Sequence, residues 1–258
     1  MGAIQEQELD TKEPKTAPAA ERAARADLAA AFRLAARMDL HEGVCNHFTL
    51  MLPDGKRFLL NPYGLHWSEV TASSLLALDS DGNILEGEGE LEKTAFYIHS
   101  RIHLRNPRAA CVLHTHMPHA TALTLLENGR LEMVEQNALR FHDDIAYDDV
   151  YNGLVLDNAE GDRLARVLGG KRVLFLANHG VIAVGPSVAE AFDLLYYLER
   201  ACRLQVLARS MGGRMRAVRP EVVRETYRRL LADAPEYAGA HFAALKRILD
   251  REEPDYSR

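Results

Sequence analysis

The chain has few cysteines and no long apolar stretch, and each absence excludes a class of protein. Three cysteines are present, Cys45, Cys111 and Cys202, and none belongs to a Cys-x-x-Cys pair. This odd, unpaired set favours a reducing cytoplasm over a disulfide framework. No apolar run approaches the length of a membrane span, and the Glu- and Lys-rich N-terminus does not have the pattern of an export signal.

Positive charge is not in excess, and glycine-rich phosphate loops are missing. The net charge of −6 and the pI near 6.0 argue against nucleic-acid and anionic-membrane partners and favour a small-molecule substrate. Gly87 and Gly89 precede a predicted helix, but neither a third glycine nor a buried strand accompanies them, so a Rossmann fold is not expected. With 258 residues and 47% hydrophobic content, one large domain with a sizeable core is expected.

Hydrophobic periodicity predicts helices at both ends of the chain and hairpin-linked strands between them. The predicted helices cover 19–38, 91–104, 118–126, 157–168, 187–210, 221–231 and 238–249. The predicted strands cover 46–52, 57–61, 76–78, 83–85, 111–116, 173–177 and 181–184, with no regular element assigned to the segment that follows Gly129 and ends at Gly153. We therefore expect a layered α/β or α+β domain with a mostly antiparallel sheet over 19–212, a disordered arm over 1–18, and a helical extension over 213–258 that packs on the same domain or on a neighbouring subunit.

A His-x-His pair ends the apolar strand at 111–116. Side chains alternate along a strand, so His114 and His116 point to one face and can share a cation. A third candidate, His179, lies at the predicted tip of the hairpin between 173–177 and 181–184. Three histidines at strand ends suit Zn²⁺, Mn²⁺ or Fe²⁺ with open coordination positions. A second interpretation of His179 stays open, because Asn178 and Gly180 are also typical of a plain hairpin turn.

The helix before this strand carries further candidates. His99 and His103 have the spacing of a helical zinc protease, but Ser100 stands where such a protease needs Glu, so we expect no metal there. His99 is expected to line the pocket as an outer hydrogen-bonding partner, and His103 to face solvent. Glu92 is the carboxylate best placed for catalysis, although a negative charge near a helix N-terminus is also explained by the helix dipole.

Taken together, these motifs resemble the class II aldolase/adducin family over residues 20–210. The resemblance rests on Asn46 after Gly43, the Asn61-Pro62-Tyr63-Gly64 turn, His99, the His114-Thr115-His116 strand and the Asn178-His179-Gly180 turn. It implies a three-layer α/β/α domain, usually a homotetramer with its site near a subunit interface, and a divalent metal on His114, His116 and His179. It also implies that substrate is bound by Asn46, Tyr63, Gly64 and His99.

The chain departs from the sugar-phosphate aldolases of that family at one segment. Those enzymes share a Ser-Ser-Glu segment, whose serines bind phosphate and whose Glu is the catalytic base. The resemblance places Lys93-Thr94-Ala95 at the corresponding positions of this chain. Glu92 is the possible stand-in for the base. The resemblance therefore implies a metal-dependent carbon-carbon lyase, of aldolase or decarboxylase type, that acts on an unphosphorylated hydroxy- or oxo-carboxylate through a metal-stabilised enolate, with Zn²⁺ favoured. A non-haem iron oxygenase of aryl 2-oxo acids and a non-catalytic adducin-like scaffold stay open as alternatives.

Overall fold

A single eight-stranded sheet forms the centre of the computed structural model, which describes residues 19–258. The strands are His47–Met51 (β1), Phe58–Leu60 (β2), Leu76–Leu78 (β3), Ile84–Glu86 (β4), Cys111–Thr115 (β5), Ile145–Asp148 (β6), Val173–Leu176 (β7) and Gly180–Gly185 (β8). Their order across the sheet is β4-β3-β2-β1-β5-β8-β7-β6. Neighbouring strands are antiparallel except for β6 and β7, which are parallel, so the predicted mostly antiparallel sheet is confirmed.

Helices cover both faces of this sheet and complete the predicted α/β/α layers. They are Ala19–Arg37 (α1), Lys93–Arg105 (α2), Pro118–Thr124 (α3), Asn158–Leu168 (α4), Val188–Ser210 (α5), Pro220–Ala232 (α6) and Ala234–Glu252 (α7). The alternation of β5 shows how the layers arise. Cys111 and Leu113 join the core formed with α1, α3, α5 and α7, whereas Val112 joins the core formed with α2 and α4.

One strand, β6, was missed by the sequence analysis. It lies at the edge of the sheet, is only half-buried over most of its length, and carries no run of alternating apolar residues. Two carboxylates around it are buried rather than solvated. Asp148 pairs with Arg163 at 2.6 Å, and Asp144 pairs with Arg172. These ion pairs let an acidic segment join the sheet without leaving unpaired buried charges.

The C-terminal helices contact the same domain. The ring of Phe242 on α7 lies 5.7 Å from that of Phe192 on α5, and Arg33 of α1 donates to Asp255 at 2.8 Å. The division at residue 212 stays a prediction, and the predicted arm over 1–18 lies outside the described residues. Cys111 and Cys202 are buried, Cys45 is exposed, and all three are free thiols. Within 19–258, no helix combines the length and apolarity that crossing a membrane requires.

Candidate metal and substrate site

The end of β5 and the start of β8 bring the three predicted histidines together. One ring nitrogen from each of His114, His116 and His179 lies within 4.8 Å of the other two, and no other such group of potential metal ligands occurs in residues 19–258. The Nε2 atoms of His114 and His116 are 3.2 Å apart. Strands β5 and β8 pair directly, which places His179, just before β8, beside the His-x-His pair.

Both residues that flank His179 have conformational reasons to be there. Asn178 has a φ of +55°, a left-handed conformation that Asn tolerates better than most residues. Gly180 lies so close to β5 that a Cβ there would come within 2.5 Å of the Thr115 carbonyl oxygen and 2.7 Å of the His116 ring. The turn interpretation of this segment therefore holds, and the same turn delivers His179 to the cluster.

Hydrogen bonds fix the orientation of two of these rings. His114 Nδ1 donates to the Val181 carbonyl oxygen at 3.0 Å, and His116 Nδ1 bonds to the Glu42 carboxylate. A carbonyl or carboxylate oxygen can only accept, so each Nδ1 carries a proton, and the Nε2 atoms of the two rings face each other. Burial, followed by the neighbouring imidazoles, holds the pKa of His114 well below its usual range, and the same causes lower the pKa of His179 to about 4.

This arrangement fits a divalent cation. Two ring nitrogens 3.2 Å apart need a proton or a cation between them, and burial lowers the pKa of His114, which disfavours a proton on that ring. Neutral imidazoles are usual ligands of protein-bound zinc. The ring nitrogen that does not bind the metal usually donates to a carboxylate or a backbone carbonyl, as it does here. The Glu42 contact was not predicted, because nothing in the sequence around Glu42 indicates that its loop reaches β5.

An open cavity of about 960 Å³ lies in front of the three histidines. Tyr63 and Glu92, both predicted site residues, line it, and so do Glu42, His47, Thr94, Tyr151 and Asn178. Gly64 faces a neighbouring pocket that shares Tyr63. Asn46 is buried beside the cluster, where its Oδ1 accepts from the His116 N–H at 3.3 Å. Its Nδ2 has no partner within the described part of the chain.

Glu92 has two structural roles at once. It is the N-cap of α2, and its Oε2 accepts from Thr94 Oγ1 at 2.5 Å and from the Ala95 N–H at 2.6 Å. The same oxygen lies 3.8 Å from His47 Nε2, on the cavity wall. Glu92 therefore caps the helix and lies on the cavity wall at the same time, and its catalytic role stays a prediction.

His99 and His103 do not lie where the sequence suggested. His99 is fully buried and does not line the cavity, but it bonds to His47, which does, and so it is an outer hydrogen-bonding partner of the cavity wall. The prediction that His103 faces solvent is wrong. It is buried and donates from Nδ1 to the Ala109 carbonyl oxygen at 2.6 Å. The sequence spacing of His47 does not mark it as a site residue, but β1 pairs with β5 in a register that sets His47 opposite His114.

Comparison with known proteins agrees with this geometry. Residues 26–206 match the family model of the class II aldolase and adducin N-terminal domain. A candidate class 2 aldolase of Caulobacter vibrioides is 34% identical over 92% of this chain and 93% of its own length. Alpha-adducin of Mus musculus is 36% identical over 75% of this chain, which corresponds to 26% of the adducin. The crystal structure of an aldolase II superfamily protein from Pseudomonas syringae superposes with a TM-score of 0.88 at 33% identity, covering 94% of this chain and 98% of the other. The chain therefore belongs to the class II aldolase/adducin family.

Proposed function

We propose that the protein is a divalent-metal-dependent carbon-carbon lyase that acts on a small, unphosphorylated hydroxy- or oxo-carboxylate. The observation that carries this proposal is the convergence of His114, His116 and His179, with the Nε2 atoms of His114 and His116 3.2 Å apart. A non-catalytic domain has no need to hold three imidazoles in this costly arrangement, because buried polar groups are destabilising unless they are satisfied.

The three histidines would hold the cation, and Zn²⁺ is the ion we propose, with Mn²⁺ and Fe²⁺ as alternatives. A divalent cation supplies Lewis-acid stabilisation of the negative charge that develops on a substrate oxygen when a carbon-carbon bond breaks. Within the cavity, Glu92 is the proposed proton acceptor, and Tyr63 and Gly64 are proposed to contact substrate. The unpartnered Asn46 Nδ2 beside the cluster is a donor that a substrate carboxylate can satisfy.

The α2 N-terminus supports an unphosphorylated substrate. Free N–H groups at a helix N-terminus are a common phosphate site. Here Glu92 Oε2 already accepts from the Ala95 N–H and from Thr94, so a negative charge occupies the position a phosphate would need. Two like charges at one helix terminus are unfavourable, and the segment therefore favours a substrate whose only anion is its carboxylate.

We also propose a cytoplasmic homotetramer. Apolar side chains lie at the mouth of the cavity, where Leu154 is 72% exposed, Leu125 59% and Tyr151 52%. Covering such a patch with a second copy would bury it and narrow the opening of the site. Light scattering on the purified protein tests the oligomeric state. The three free cysteines support a reducing compartment.

The first experiment is metal analysis of protein purified without a His tag, together with His114→Ala, His116→Ala and His179→Ala. His119→Ala is the matched control, because His119 bonds to Glu199 outside the cluster. We expect near-equimolar Zn²⁺ in the wild type and the control, less than a tenth of that in the three variants, and metal-dependent cleavage in a panel of hydroxy- and oxo-acids. A wild type that neither contains nor binds a divalent ion contradicts the proposal. Near-equimolar iron with oxygen consumption would point instead to an oxygenase of aryl 2-oxo acids.

A second candidate function is an adducin-like scaffold. It is favoured by the 36% identity to alpha-adducin and by Ala95, which stands where sugar-phosphate aldolases of the family carry their base. It predicts a stable oligomer that is unchanged by chelators and that turns over none of the acids. Loss of turnover on metal removal would exclude it.

A further inference from the structure

A buried row of polar side chains runs from the cavity wall into the core, and the function proposed above does not use it. The row consists of His47, His99, Thr49 and His103. His47 Nδ1 lies 2.8 Å from His99 Nε2, and Thr49 Oγ1 lies 2.7 Å from His99 Nδ1 and 2.8 Å from His103 Nε2. All four residues are buried, and the row ends on the Ala109 carbonyl oxygen, 2.6 Å from His103 Nδ1.

The Ala109 carbonyl at the inner end determines which atom of each side chain in the row carries the proton. It can only accept, so His103 Nδ1 carries a proton and its Nε2, in a neutral ring, is an acceptor. Thr49 must then donate its single hydroxyl proton to His103 and accept from His99 Nδ1. His99 Nε2 is consequently an acceptor, and His47 Nδ1 donates to it. The outermost atom, His47 Nε2, is left with a lone pair.

Burial keeps the two inner rings neutral, as the assignment requires. It lowers the pKa of His103 to about 4, and it holds the pKa of His99 well below its usual range. A neutral histidine has one donor and one acceptor, so no second proton is available to reverse the direction of the row.

The cavity end of the row is an acceptor pair, in which His47 Nε2 has no donor and Glu92 Oε2 already accepts from Thr94 and Ala95. His47 Nε2 and Glu92 Oε2 lie 3.8 Å apart on the cavity wall. A donor placed between two atoms at this separation can reach both at ordinary hydrogen-bond distance. The ring of His47 is tilted by 36° against that of His114 with ring centroids 4.9 Å apart, so the acceptor pair lies directly beside the three-histidine cluster.

We infer that a hydroxyl group of the substrate donates to His47 Nε2 beside the Glu92 carboxylate, and that His99, Thr49 and His103 are positioning residues that hold His47 as an acceptor. This inference rests on the proposed function and narrows its substrate to a hydroxy-carboxylate. The hydroxyl of such a substrate can donate at this position, whereas a keto oxygen would meet two acceptors. A substrate with only a carbonyl oxygen at this position would be rejected by the repulsion between like partners.

Neutron diffraction from crystals of the wild-type protein exchanged into deuterium oxide tests the row directly. We expect deuterium on Nδ1 of His47, His99 and His103, and none on Nε2 of any of the three. This readout needs neither metal nor turnover. Deuterium on His47 Nε2 would overturn the inference, because the atom would then be a donor.

Ligand binding to Zn²⁺-loaded protein tests the acceptor pair. Lactate and propionate differ only by the hydroxyl, so the ratio of their affinities, measured by calorimetry, isolates its contribution. We expect His47→Phe to reduce the lactate preference about three- to tenfold, the effect of one lost hydrogen bond. His119→Phe, on a histidine outside the row, is the control and is expected to keep the wild-type ratio.

Two variants of Thr49 test the positioning role. Thr49→Val removes the hydroxyl at nearly constant shape, and we expect it to reduce the lactate preference, whereas Thr49→Ser keeps the hydroxyl and should restore it. An unchanged preference in both His47→Phe and Thr49→Val would overturn the inference and leave the metal site standing. A wild type that binds no Zn²⁺ would instead overturn the proposed function, and the neutron structure would then decide the proton order of the row.

Discussion

Gly180 lies against Thr115 so closely that a Cβ on Gly180 would come within 2.5 Å of the Thr115 carbonyl oxygen. This approach joins the two strands that carry the candidate ligands, since His114 and His116 flank Thr115, and His179 precedes Gly180. The spacing between β5 and β8 at this point therefore depends on the absence of a side chain. Any residue larger than glycine must push the backbone of one strand away from the other.

Replacement of Gly180 with alanine should therefore weaken both the fold and the site. We expect Gly180→Ala to lower the free energy of unfolding by about 1–3 kcal/mol, as other overpacked sites do, and to reduce Zn²⁺ affinity because His179 moves. Urea unfolding and calorimetry measure the two effects. Gly170→Ala is the control, since a Cβ there meets nothing within 4 Å. Equal stability of the two variants would contradict the prediction.

Glu42 should matter for the metal and little for the fold. Its carboxylate accepts from His116 Nδ1, while its side chain is 65% exposed. A carboxylate that accepts from the second ring nitrogen of a metal-binding histidine fixes the orientation of that ring, and its removal typically costs about 10–100-fold in metal affinity. We expect this loss for Glu42→Gln in Zn²⁺ titrations, with an unchanged melting temperature. Glu236→Gln, on an exposed residue of α7, should bind as the wild type does. A loss of melting temperature in parallel with affinity would argue for a structural role instead.

Thr49→Val should also lower the free energy of unfolding, independently of its effect on ligand binding. Removal of the hydroxyl leaves His99 Nδ1 and His103 Nε2 without their partner in a buried region. An unsatisfied buried donor or acceptor costs about 1–3 kcal/mol. Urea unfolding should show a loss of this size in Thr49→Val and a much smaller one in Thr49→Ser. Comparable losses in the two variants would mean that packing, rather than hydrogen bonding, is what Thr49 contributes.

Burial of His103 should make stability depend on pH in a defined window. Because burial lowers its pKa from 6.5 to about 4, the unfolded state binds more protons than the native state between these values. The free energy of unfolding must therefore rise with pH through this window and fall on acidification. Each unit of pKa difference corresponds to about 1.4 kcal/mol, so the contribution of His103 is of the order of 3 kcal/mol.

The measurement is urea unfolding of metal-free protein across that window, with His103→Gln for comparison. The variant should lose stability less steeply on acidification, while His47 and His99, present in both proteins, titrate alike. Identical slopes would show that His103 is not held neutral in the folded state.

Native protein should have one reactive thiol per chain. Cys45 is exposed, whereas burial raises the pKa of the Cys111 and Cys202 thiols and shields them from reagents. Titration with a chromogenic disulfide should therefore give one fast equivalent in the native state and three after denaturation. Cys45→Ser should give no fast equivalent, and a fast reaction in that variant would mean that one of the buried thiols becomes accessible.

Local sequence patterns determined much of the candidate site and of the helix boundaries. The two-residue period of a strand put His114 and His116 on one face, and the Asn178-His179-Gly180 sequence indicated the turn that brings His179 to them. Ser187 and Glu190 have the spacing of a capping box, and the Ser187 side chain accepts from the Glu190 N–H at the start of α5. In each case the signal lies within a few residues, where backbone geometry alone relates the side chains.

Contacts between distant segments decided the rest. The sequence cannot show that β1 pairs with β5, so His47 gave no signal until the sheet register placed it opposite His114. Strand β6 forms only because β7 supplies its partner and arginines neutralise its carboxylates. The proton order of the row depends on one carbonyl, that of Ala109, which meets His103 through the packing of α2 against β5. The direction of each hydrogen bond in the row of His47, His99, Thr49 and His103 depends on all the others, and only the tertiary structure brings these side chains into contact.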